Sequence, residues 1–533
     1  MADQQHDKTT IRENWRCFLA CGMVALSPFQ YGVDFGLIGG LQAMPGFLEI
    51  YGHRAPETAL GWNLSTVVQQ LISSLMTLGA FISSGLAGFA AIKFGRKTCL
   101  WAACVLCIVS NVIMMSTESV AALYVGRFLI GLANGYFMSF SQLYIQESSP
   151  AKYRALFLSV FQFATTLGTL IGTIIDWATA NRPDKSAYLI PLGIIYVVPL
   201  FLAVGMWFIP ESPRWLFLQG RNEEARRSLQ WLRPNGASIE PEVAEITAAI
   251  DREKELSSSV GPWDMFKDPV DRRRTGLAVG AVSLQAASGA MFIIAYKAYF
   301  FSMANVDDPF AMTNVLSTVG LVAIIMNSLI VVRYGRRRIL LMNGLIICAV
   351  LQLIVAIVYQ KQPGTTATGK ILVAMSSLYM FAYNGMIATY AWVSGGELPS
   401  QRLRSYTFGL AAAVGFGGAW LTTFTAPYFI NPESLNWGPK YGYIWFPSAL
   451  VAATWVYFFL PEVKGRTLEE IDEMFEAKLP ARKFHKYKCA GRARLEDPKK
   501  GDEAPYDAEH RGRRSSVESK AMVETLEEAA VPI

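Results

Sequence analysis

Two side chains of opposite charge stand inside long apolar runs of this sequence. Asp34 lies in FQYGVDFGLIGG, in the first run, and Arg127 lies in GRFLIGLANG, in the fourth. An ionised carboxylate surrounded by apolar residues in a membrane is costly unless it is paired, hydrated or protonated. Arg127 is the opposite charge in a neighbouring run, so we expect the two to pair. Protonation of Asp34 would cancel the attraction, which makes the pair a candidate proton switch, with a static structural bridge as the alternative.

Short motifs that combine Glu and Arg occur twice along the chain. ESSPAKYR returns as ELPSQRLR, FGRK as YGRR, and PESPR as PEVKGR. The rule that basic residues collect in loops on one membrane face explains the Lys and Arg but not the glutamates. We therefore interpret the motifs as ion pairs that close the cytoplasmic face in one state and break in another; a simple topological charge signal is the alternative. The residues assigned to this cytoplasmic gate are Arg96, Glu147, Arg154, Glu211, Arg214, Arg336, Glu397, Arg404, Glu462 and Arg466.

The elements that must position these residues are membrane-spanning helices. The chain has 533 residues, of which 52% are hydrophobic and only 17% charged. A span needs about 20 mostly apolar residues, and we count twelve such runs. Their centres lie near Leu26, Thr77, Leu106, Leu132, Thr166, Val198, Ser288, Gly320, Ala349, Ala382, Gly415 and Ala452. The predicted fold class is an all-α membrane protein.

The twelve runs fall into two sets of six, and the repeated motifs occupy matching corners of the two sets. This predicts two pseudo-symmetric bundles related by an axis along the membrane normal, an arrangement found in transporters with a site at the bundle interface. Because Lys and Arg collect between even and odd runs and in the central segment, we expect both termini to be cytoplasmic. The predicted parts are a tail (1–16), a first bundle (17–210), linker helices (211–275), a second bundle (276–462) and a tail (463–533), largely disordered after about 490.

Three polar residues lie close to the outer ends of the runs. Asn63 opens Asn63-Leu64-Ser65, a glycosylation sequon in the first outer loop. Asp176 and Lys297 lie near the ends of the fifth and seventh runs, and a Lys there can extend to the membrane surface. We interpret both as interfacial, with a substrate contact as the alternative for Lys297.

Several of these motifs resemble those of a known family. PESPRWL, GRFLIGLANG and YIQESSPAKYR resemble signatures of sugar porters of the major facilitator superfamily. GELPSQRLRSYT, NPESLNWGPKYGYIW and LPEVKGRT are more similar to fungal alpha-glucoside (maltose-type) and hexose proton symporters. The resemblance covers about Val33 to Thr467. It implies the major facilitator fold with twelve helices, alternating access, and sugar uptake at the plasma membrane.

The resemblance also implies roles for individual residues. Asp34 and Arg127 match positions where proton-coupled members carry an Asp and an Arg. A sugar site needs amides for hydroxyl groups and aromatic faces for the ring. Gln162, Gln285 and Trp392 match family positions that contact the sugar, and the further candidates are Asn384, Tyr296 and Tyr390.

The predicted pocket departs from the family pattern in two places. In QAASGAM, Ala286 and Met291 replace a Gln and an Asn, and residues 407–422 contain no Asn, Gln or charge. These changes favour a larger glycoside or a less polar substrate than a simple hexose.

We therefore expect a proton-coupled transporter that imports a hexose or alpha-glucoside. The alternatives are a carrier of a non-sugar or glycosylated metabolite on the same scaffold and a sugar sensor that does not transport. The sequence holds no nucleophile–base or metal constellation, so we do not expect an enzyme. The expected partners are a small-molecule substrate and the lipid bilayer, with a proton as coupling ion, no metal or other cofactor, no nucleic acid, and a functional monomer.

Overall fold

The computed structural model is built almost entirely of helices. It describes residues 12–56, 61–116, 118–182, 184–234, 236, 238–257, 261–331, 336–464, 466 and 468–487. The disorder predicted after about residue 490 lies outside these ranges. The chain divides into two compact units, Met1–Leu460 and Pro461–Ile533.

The first half of the larger unit contains six spans. Its helices are α1 (Trp15–Val24), α2 (Leu26–Leu41), α3 (Pro45–Tyr51), α4 (Thr66–Phe94), α5 (Arg96–Ser116), α6 (Val120–Ser148), α7 (Ala151–Thr179), α8 (Ser186–Ile194) and α9 (Val197–Phe208). Two short strands, β1 (His53–Arg54) and β2 (Trp62–Asn63), pair antiparallel in the first outer loop.

Four shorter helices form the linker between the halves. They are α10 (Pro213–Leu218), α11 (Asn222–Leu232), α12 (Glu240–Ser257) and α13 (Asp264–Lys267). Arg233, just after α11, anchors the linker because its guanidinium pairs with Glu242 and Nη1 donates to Ser148 O at 3.0 Å, at the end of α6.

The second half repeats the six-span plan with more interruptions. Its helices are α14 (Pro269–Ala287), α15 (Ala290–Met303), α16 (Pro309–Met326), α17 (Arg337–Lys361), α18 (Thr366–Ala382), α19 (Thr389–Glu397), α20 (Arg404–Ile430) and α21 (Gly442–Phe459). Turns of π-helix, Asn327–Val331 and Tyr383–Ala388, follow α16 and α18, and 3₁₀ turns, Gln401–Leu403 and Gly438–Tyr441, precede α20 and α21.

The smaller unit consists of α22 (Leu468–Glu476) and a 3₁₀ turn, Ala481–Lys486. Its apolar centre contains Ile471, Met474, Phe475 and Phe484, with the two phenylalanine rings 5.0 Å apart at their centroids.

The predicted spans are confirmed as helices. By length and composition, 10 helices of the described chain can cross a membrane. The other two predicted spans are also helical. The first, centred near Leu26, consists of α1 and α2, and the fifth, centred near Thr166, is α7. The protein is therefore a multi-pass membrane protein of the predicted fold class.

Small residues allow the first half to pack closely, as expected where helices meet inside a bilayer. Helices α2 and α7 approach so closely that a Cβ on Gly32 would lie 2.0 Å from Thr165 O. On the opposing helix, a Cβ on Gly168 would lie 2.1 Å from Phe29 O. Backbone therefore faces backbone at this crossing.

The spans of the second half are broken next to predicted site residues. Gly289 separates α14 from α15 with a φ of +81°, a left-handed conformation that glycine adopts without strain. A Cβ there would also meet the Trp445 ring at 2.6 Å. The π turn Tyr383–Ala388 contains Asn384, and such turns are frequent at functional sites.

The two ends of the bundle differ in what joins the halves. We call the end that carries the linker the linker side and the opposite end the far side. On the far side, Asn63 Nδ2 donates to Asn431 Oδ1 at 3.0 Å, and Thr66 and Ser434 share a hydroxyl hydrogen bond of 2.8 Å. Trp177 Nε1 donates to Asp308 Oδ2 at 3.3 Å. The first half is thus tied to the second across the far side.

Candidate functional site

The predicted partners Asp34 and Arg127 form a buried ion pair. Arg127 Nη1 donates to Asp34 Oδ1 at 3.0 Å, and the two side chains are 2% and 1% exposed. Asn134 Nδ2 donates to the second carboxylate oxygen at 2.9 Å. The pair joins α2 to α6, so it lies entirely within the first half.

Arg127 is fixed by more than its acidic partner. Its Nε donates to Ile72 O at 3.1 Å, and Nη2 lies 2.8 Å from Met76 Sδ, both on α4. Because Nε and Nη2 are both held by α4, the orientation of the guanidinium is fixed, and Nη1 points to the Asp34 carboxylate. Asp34 of α2 is therefore paired with a cation whose position is fixed by α4 and α6.

Asn134 was missed at the sequence level, although its spacing carried a signal. It lies seven residues after Arg127 on α6, and that spacing places both side chains on one helix face. A polar residue at this spacing from a buried arginine is a candidate partner of the same carboxylate.

A second polar cluster lies in the other half, around the predicted sugar ligands. Trp392 Nε1 donates to Gln285 Oε1 at 3.1 Å, and Gln285 Nε2 donates to Ala388 O at 2.9 Å. The Trp392 ring lies 6.1 Å from Phe408 and 6.0 Å from Phe416, measured between centroids. The structure thus brings Gln285 and Trp392 together, as an amide beside an aromatic face.

The π turn adds two further candidates to this half. Asn384 lies in the turn and is 6% exposed, packed against Gly320. Tyr390 OH donates to Asn327 Oδ1 at 2.7 Å, which ties α19 to the other π turn. Asn327 was not predicted; nothing in its local sequence marks the π turn that places it.

Gln162 and Tyr296 differ in their freedom to bind a ligand. The Gln162 side chain, on α7, is partly exposed and makes no hydrogen bond within the described part of the chain. Tyr296 is 0% exposed, and its hydroxyl donates to Thr423 O at 2.7 Å. A substrate contact by Tyr296 would require that bond to break, so its placement corresponds better to helix packing.

On the linker side, the first half holds the predicted pair of Arg96 and Glu147. Arg96 Nη2 donates to Glu147 Oε1 at 2.7 Å, and the side chains are only 7% and 9% exposed. Ser212 Oγ donates to the other Glu147 oxygen. Glu211 accepts from the backbone N–H groups of Lys97 at 3.1 Å and Ser212 at 2.8 Å. Burial raises the pKa of Glu211, and these N–H groups partly oppose the rise.

The corner of the second half that corresponds to Arg96 and Glu147 also contains an ion pair between an arginine and a glutamate. Arg337 pairs with Glu397, whereas Arg336, a gate residue predicted from the sequence, is exposed. Arg336 is the N-cap residue of α17, in an extended backbone conformation, and Arg337 is the first residue of the helix. Arg404 donates to Gly396 O at 2.7 Å.

The remaining gate residues are placed as follows. Arg214 lies at the start of α10, and the Arg154 side chain lies outside the described residues. In the smaller unit, Glu462 Oε1 accepts from Lys464 N at 3.2 Å, and Arg466 Nη1 lies 3.8 Å from Glu470 Oε1. The role of these residues in a gate stays a prediction.

Three outer residues are more deeply buried than their positions in the sequence suggest. Asn63 is 3% exposed, and its amide nitrogen is the donor to Asn431, so a glycan on that nitrogen has no room in this conformation. Asp176 and Lys297 are 1% and 4% exposed and are therefore buried rather than interfacial. Both lie at contacts between the halves, which the position of a residue within its own helix does not reveal.

Two six-span halves with a helical linker define the major facilitator fold. Solved structures of that fold are similar: the inward open conformation of the xylose transporter XylE from E. coli superposes with a TM-score of 0.71 at 20% identity, covering 86% of this chain and 99% of that one. At this identity the similarity establishes the fold alone.

The sequence comparisons establish the family. The chain belongs to the family described as "Sugar (and other) transporter", whose profile matches residues 20–475. The high glucose sensor RGT2 of Saccharomyces cerevisiae is 32% identical over 87% of this chain, which spans 61% of that relative's length. The major facilitator-type transporter ecdD of Aspergillus rugulosus is 29% identical over 94% of this chain and 95% of its own. The low-affinity glucose transporter HXT3 of S. cerevisiae is 28% identical over 87% and 82%. These relatives are transporters or sensors, not enzymes.

Proposed function

We propose that this protein is a proton-coupled transporter that imports a sugar by alternating access. The observation that carries the proposal is the buried Asp34–Arg127 pair, because it places a titratable carboxylate opposite a fixed cation within a moving bundle. When Asp34 is ionised, the pair holds α2 against α6. When Asp34 is protonated, the attraction is lost and the helices can rearrange.

The substrate we propose is a hexose or an alpha-glucoside. Gln162 offers an amide without a partner in the described chain, and Gln285 and Trp392 offer an amide next to an indole face. Hydroxyl groups and a sugar ring require this combination. Family membership and the glucose transporter HXT3 among the relatives support the same substrate class.

The proposed orientation has the linker side in the cytoplasm, with both termini, and the far side outside. The basic residues of the linker support it through the positive-inside rule. With this orientation the far-side hydrogen bonds correspond to a state closed to the outside. A plasma-membrane location is proposed with the import function.

The test is uptake of labelled glucose and maltose into transporter-deficient cells, with and without an uncoupler. One pH unit of gradient is worth about 1.4 kcal/mol, so a one-proton symporter gains about tenfold accumulation per unit. Asp34→Asn should abolish uphill accumulation, because the side chain can no longer cycle its charge, while exchange of sugar across the membrane continues.

Asp251→Asn is the matched control, since Asp251 is exposed on the linker helix α12. It should accumulate sugar like the parent protein. Full accumulation in the Asp34→Asn variant would refute coupling at Asp34. Transport that ignores the uncoupler in the parent protein would refute proton coupling altogether.

Two specific observations favour second candidates. One relative, 32% identical over 87% of this chain, is named as a high glucose sensor. Sugar binding to the purified protein without any uptake or exchange would establish that function. Gln285 is already bonded to Trp392 and Ala388, and Ala286 and Met291 add no amide, which favours a non-sugar or glycosylated substrate. Binding of such a metabolite to the purified protein, together with no detectable binding of sugar, would establish this second candidate function.

A further inference from the structure

Two buried charges in the far side have no part in the proton switch. Asp176 lies on α7 in the first half, and Lys297 lies on α15 in the second half, 1% and 4% exposed. Asp176 is three residues from the far end of α7, and Lys297 lies near the middle of α15. They therefore face each other across the boundary that must open if the far side is to admit a substrate.

The carboxylate of Asp176 is enclosed but not satisfied. Neither of its oxygens has a hydrogen-bond partner of good geometry among the described residues, and only the backbone N–H of Gly40 is close enough to act on the carboxylate as a hydrogen-bond donor. The group lies directly against α2, where a Cβ on Gly40 would be 2.0 Å from Oδ2. Gly40 thus provides the space that the carboxylate occupies. A buried charge without hydrogen bonds is costly unless an opposite charge compensates it.

The ammonium of Lys297 is only partly satisfied. Its Nζ donates to Ser317 Oγ at 2.8 Å, and Ser317 also accepts from Thr173 Oγ1 of the first half at 3.4 Å. An ammonium has three donors, so this is one of three. Lys297 and Asp176 act on each other electrostatically, although their charged atoms do not come within the 4.0 Å of a direct ion pair.

Other titratable groups on the surrounding helices have their own partners or lie apart. Asp34 of α2 is bonded to Arg127 and Asn134, and α16 carries no charged residue. On α15, Tyr296 is bonded to Thr423 O, and Tyr299 donates to Asn63 Oδ1 at 3.1 Å. Elements packed against α7 and α15 carry further titratable groups, none of which acts electrostatically on Asp176 or Lys297. They include Tyr31 of α2, Tyr188 of α8, Tyr124, Tyr136, Tyr144 and Glu147 of α6, Tyr406 and Tyr428 of α20, and Lys440 and Tyr441 of the 3₁₀ turn before α21. The compensation of Asp176 and Lys297 is therefore mutual.

We propose that Asp176 and Lys297 neutralise each other across the two halves and thereby permit the far side to close. The closed state buries both groups, and either both are charged or the proton has moved from the ammonium to the carboxylate. Both forms contain the same number of protons. The Asp176–Lys297 pair therefore makes closure of the far side insensitive to pH, in contrast to Asp34. This proposal rests on the alternating access of the proposed function.

The clearest test uses variants that remove one of the two charges, so that the other has no opposite charge when the far side closes. With Asp176→Asn, Lys297 must lose its proton when the far side closes, so closure becomes easier as pH rises. With Lys297→Met, Asp176 must gain a proton, so closure becomes easier as pH falls. The double variant buries no charge and should close at all pH values. Lys297→Arg keeps the cation and should behave as the parent.

The experiment measures far-side opening without any substrate. A Thr77→Cys reporter lies at the contact between the halves, where Thr77 and Thr423 hydroxyls are 3.1 Å apart. Its rate of maleimide labelling in lipid nanodiscs is followed by mass spectrometry from pH 5.5 to 8.5. All rates are divided by that of the Thr77→Cys parent at the same pH, which removes the pH dependence of the thiol.

The relative rate should fall with rising pH for Asp176→Asn and rise for Lys297→Met, by up to about tenfold per unit. It should be flat for the double variant and for Lys297→Arg. The same direction of change in both single variants, or a double variant more open than either, would overturn the proposal. Size-exclusion profiles identify a misfolded variant, and in that case the pair Lys297→Arg against Lys297→Met decides alone. Because no substrate or proton gradient is used, failure here is separate from failure of coupling at Asp34.

Discussion

The far side and the linker side of this protein use polar side chains in different ways. On the far side, side chains of one half bond to the other, as Asn431 does when its Nδ2 donates to Leu64 O and Gln69 Oε1, each at 2.9 Å. On the linker side, Arg96 pairs with Glu147 within the first half and Arg337 with Glu397 within the second. The far-side bonds therefore hold the two halves together, whereas the linker-side pairs hold the ends of helices within each half.

This difference separates two properties that mutations usually mix. Weakening one of the linker-side pairs Arg96–Glu147 and Arg337–Glu397 should lower the stability of the fold and leave the equilibrium between closed and open states nearly unchanged. Weakening a bond between the halves should shift that equilibrium. The two linker-side pairs also differ from each other, because Arg96 and Glu147 are 7% and 9% exposed, whereas Arg337 and Glu397 are 21% and 28% exposed.

The largest effect is expected for Arg96→Met. Removing one partner of a buried ion pair leaves the other charge uncompensated, which costs about 3–5 kcal/mol. The free energy of unfolding, measured by titration with SDS, should fall by that amount. The rate of maleimide labelling of the Thr77→Cys reporter should stay within about twofold of the parent. Arg272→Met, at an exposed position of the same side, is the control. A large rise in far-side labelling would contradict the separation of the two sides.

Asn431→Ala should have the next largest effect, on the opposite property. The variant loses its bonds to Asn63, Leu64 and Gln69, and hydrogen bonds of this kind contribute about 1 kcal/mol each. We expect the far-closed state to lose about 3 kcal/mol, which corresponds to about 150-fold faster labelling of the Thr77→Cys reporter. Asn181→Ala, at an exposed far-side position, should not change the rate. An unchanged rate for Asn431→Ala would mean that its bonds do not hold the halves together.

The smallest effect distinguishes two adjacent arginines. Arg337→Met should lower the free energy of unfolding by about 1 kcal/mol, since its partly exposed pair with Glu397 is screened by water. Arg336→Met should change it by less than about 0.5 kcal/mol, because this side chain is exposed. Equal losses in the two variants would argue against the register found at this corner.

Much of the fold was predictable because it depends on local patterns. Runs of apolar residues located the spans, and the repeated Glu and Arg motifs located equivalent corners of the two halves. The Asp34–Arg127 pair was also predictable, since few groups can compensate a charge inside a membrane. The motif did not show which of its two arginines pairs with Glu397; the structure pairs Arg337, the first residue of α17, and leaves Arg336 exposed.

The sequence by itself determined the number of spans, the duplication and the pairing of Asp34 with Arg127, because hydrophobic length and isolated charges are recognised one segment at a time. Only the tertiary structure decided that Asn63 bonds across the halves and that Asp176 and Lys297 are buried opposite each other. These residues are separated by more than a hundred positions from their partners, and a helix end looks the same in sequence whether it meets water or another bundle. Which of these it meets depends on how the two halves are packed, and that is a property of the whole molecule.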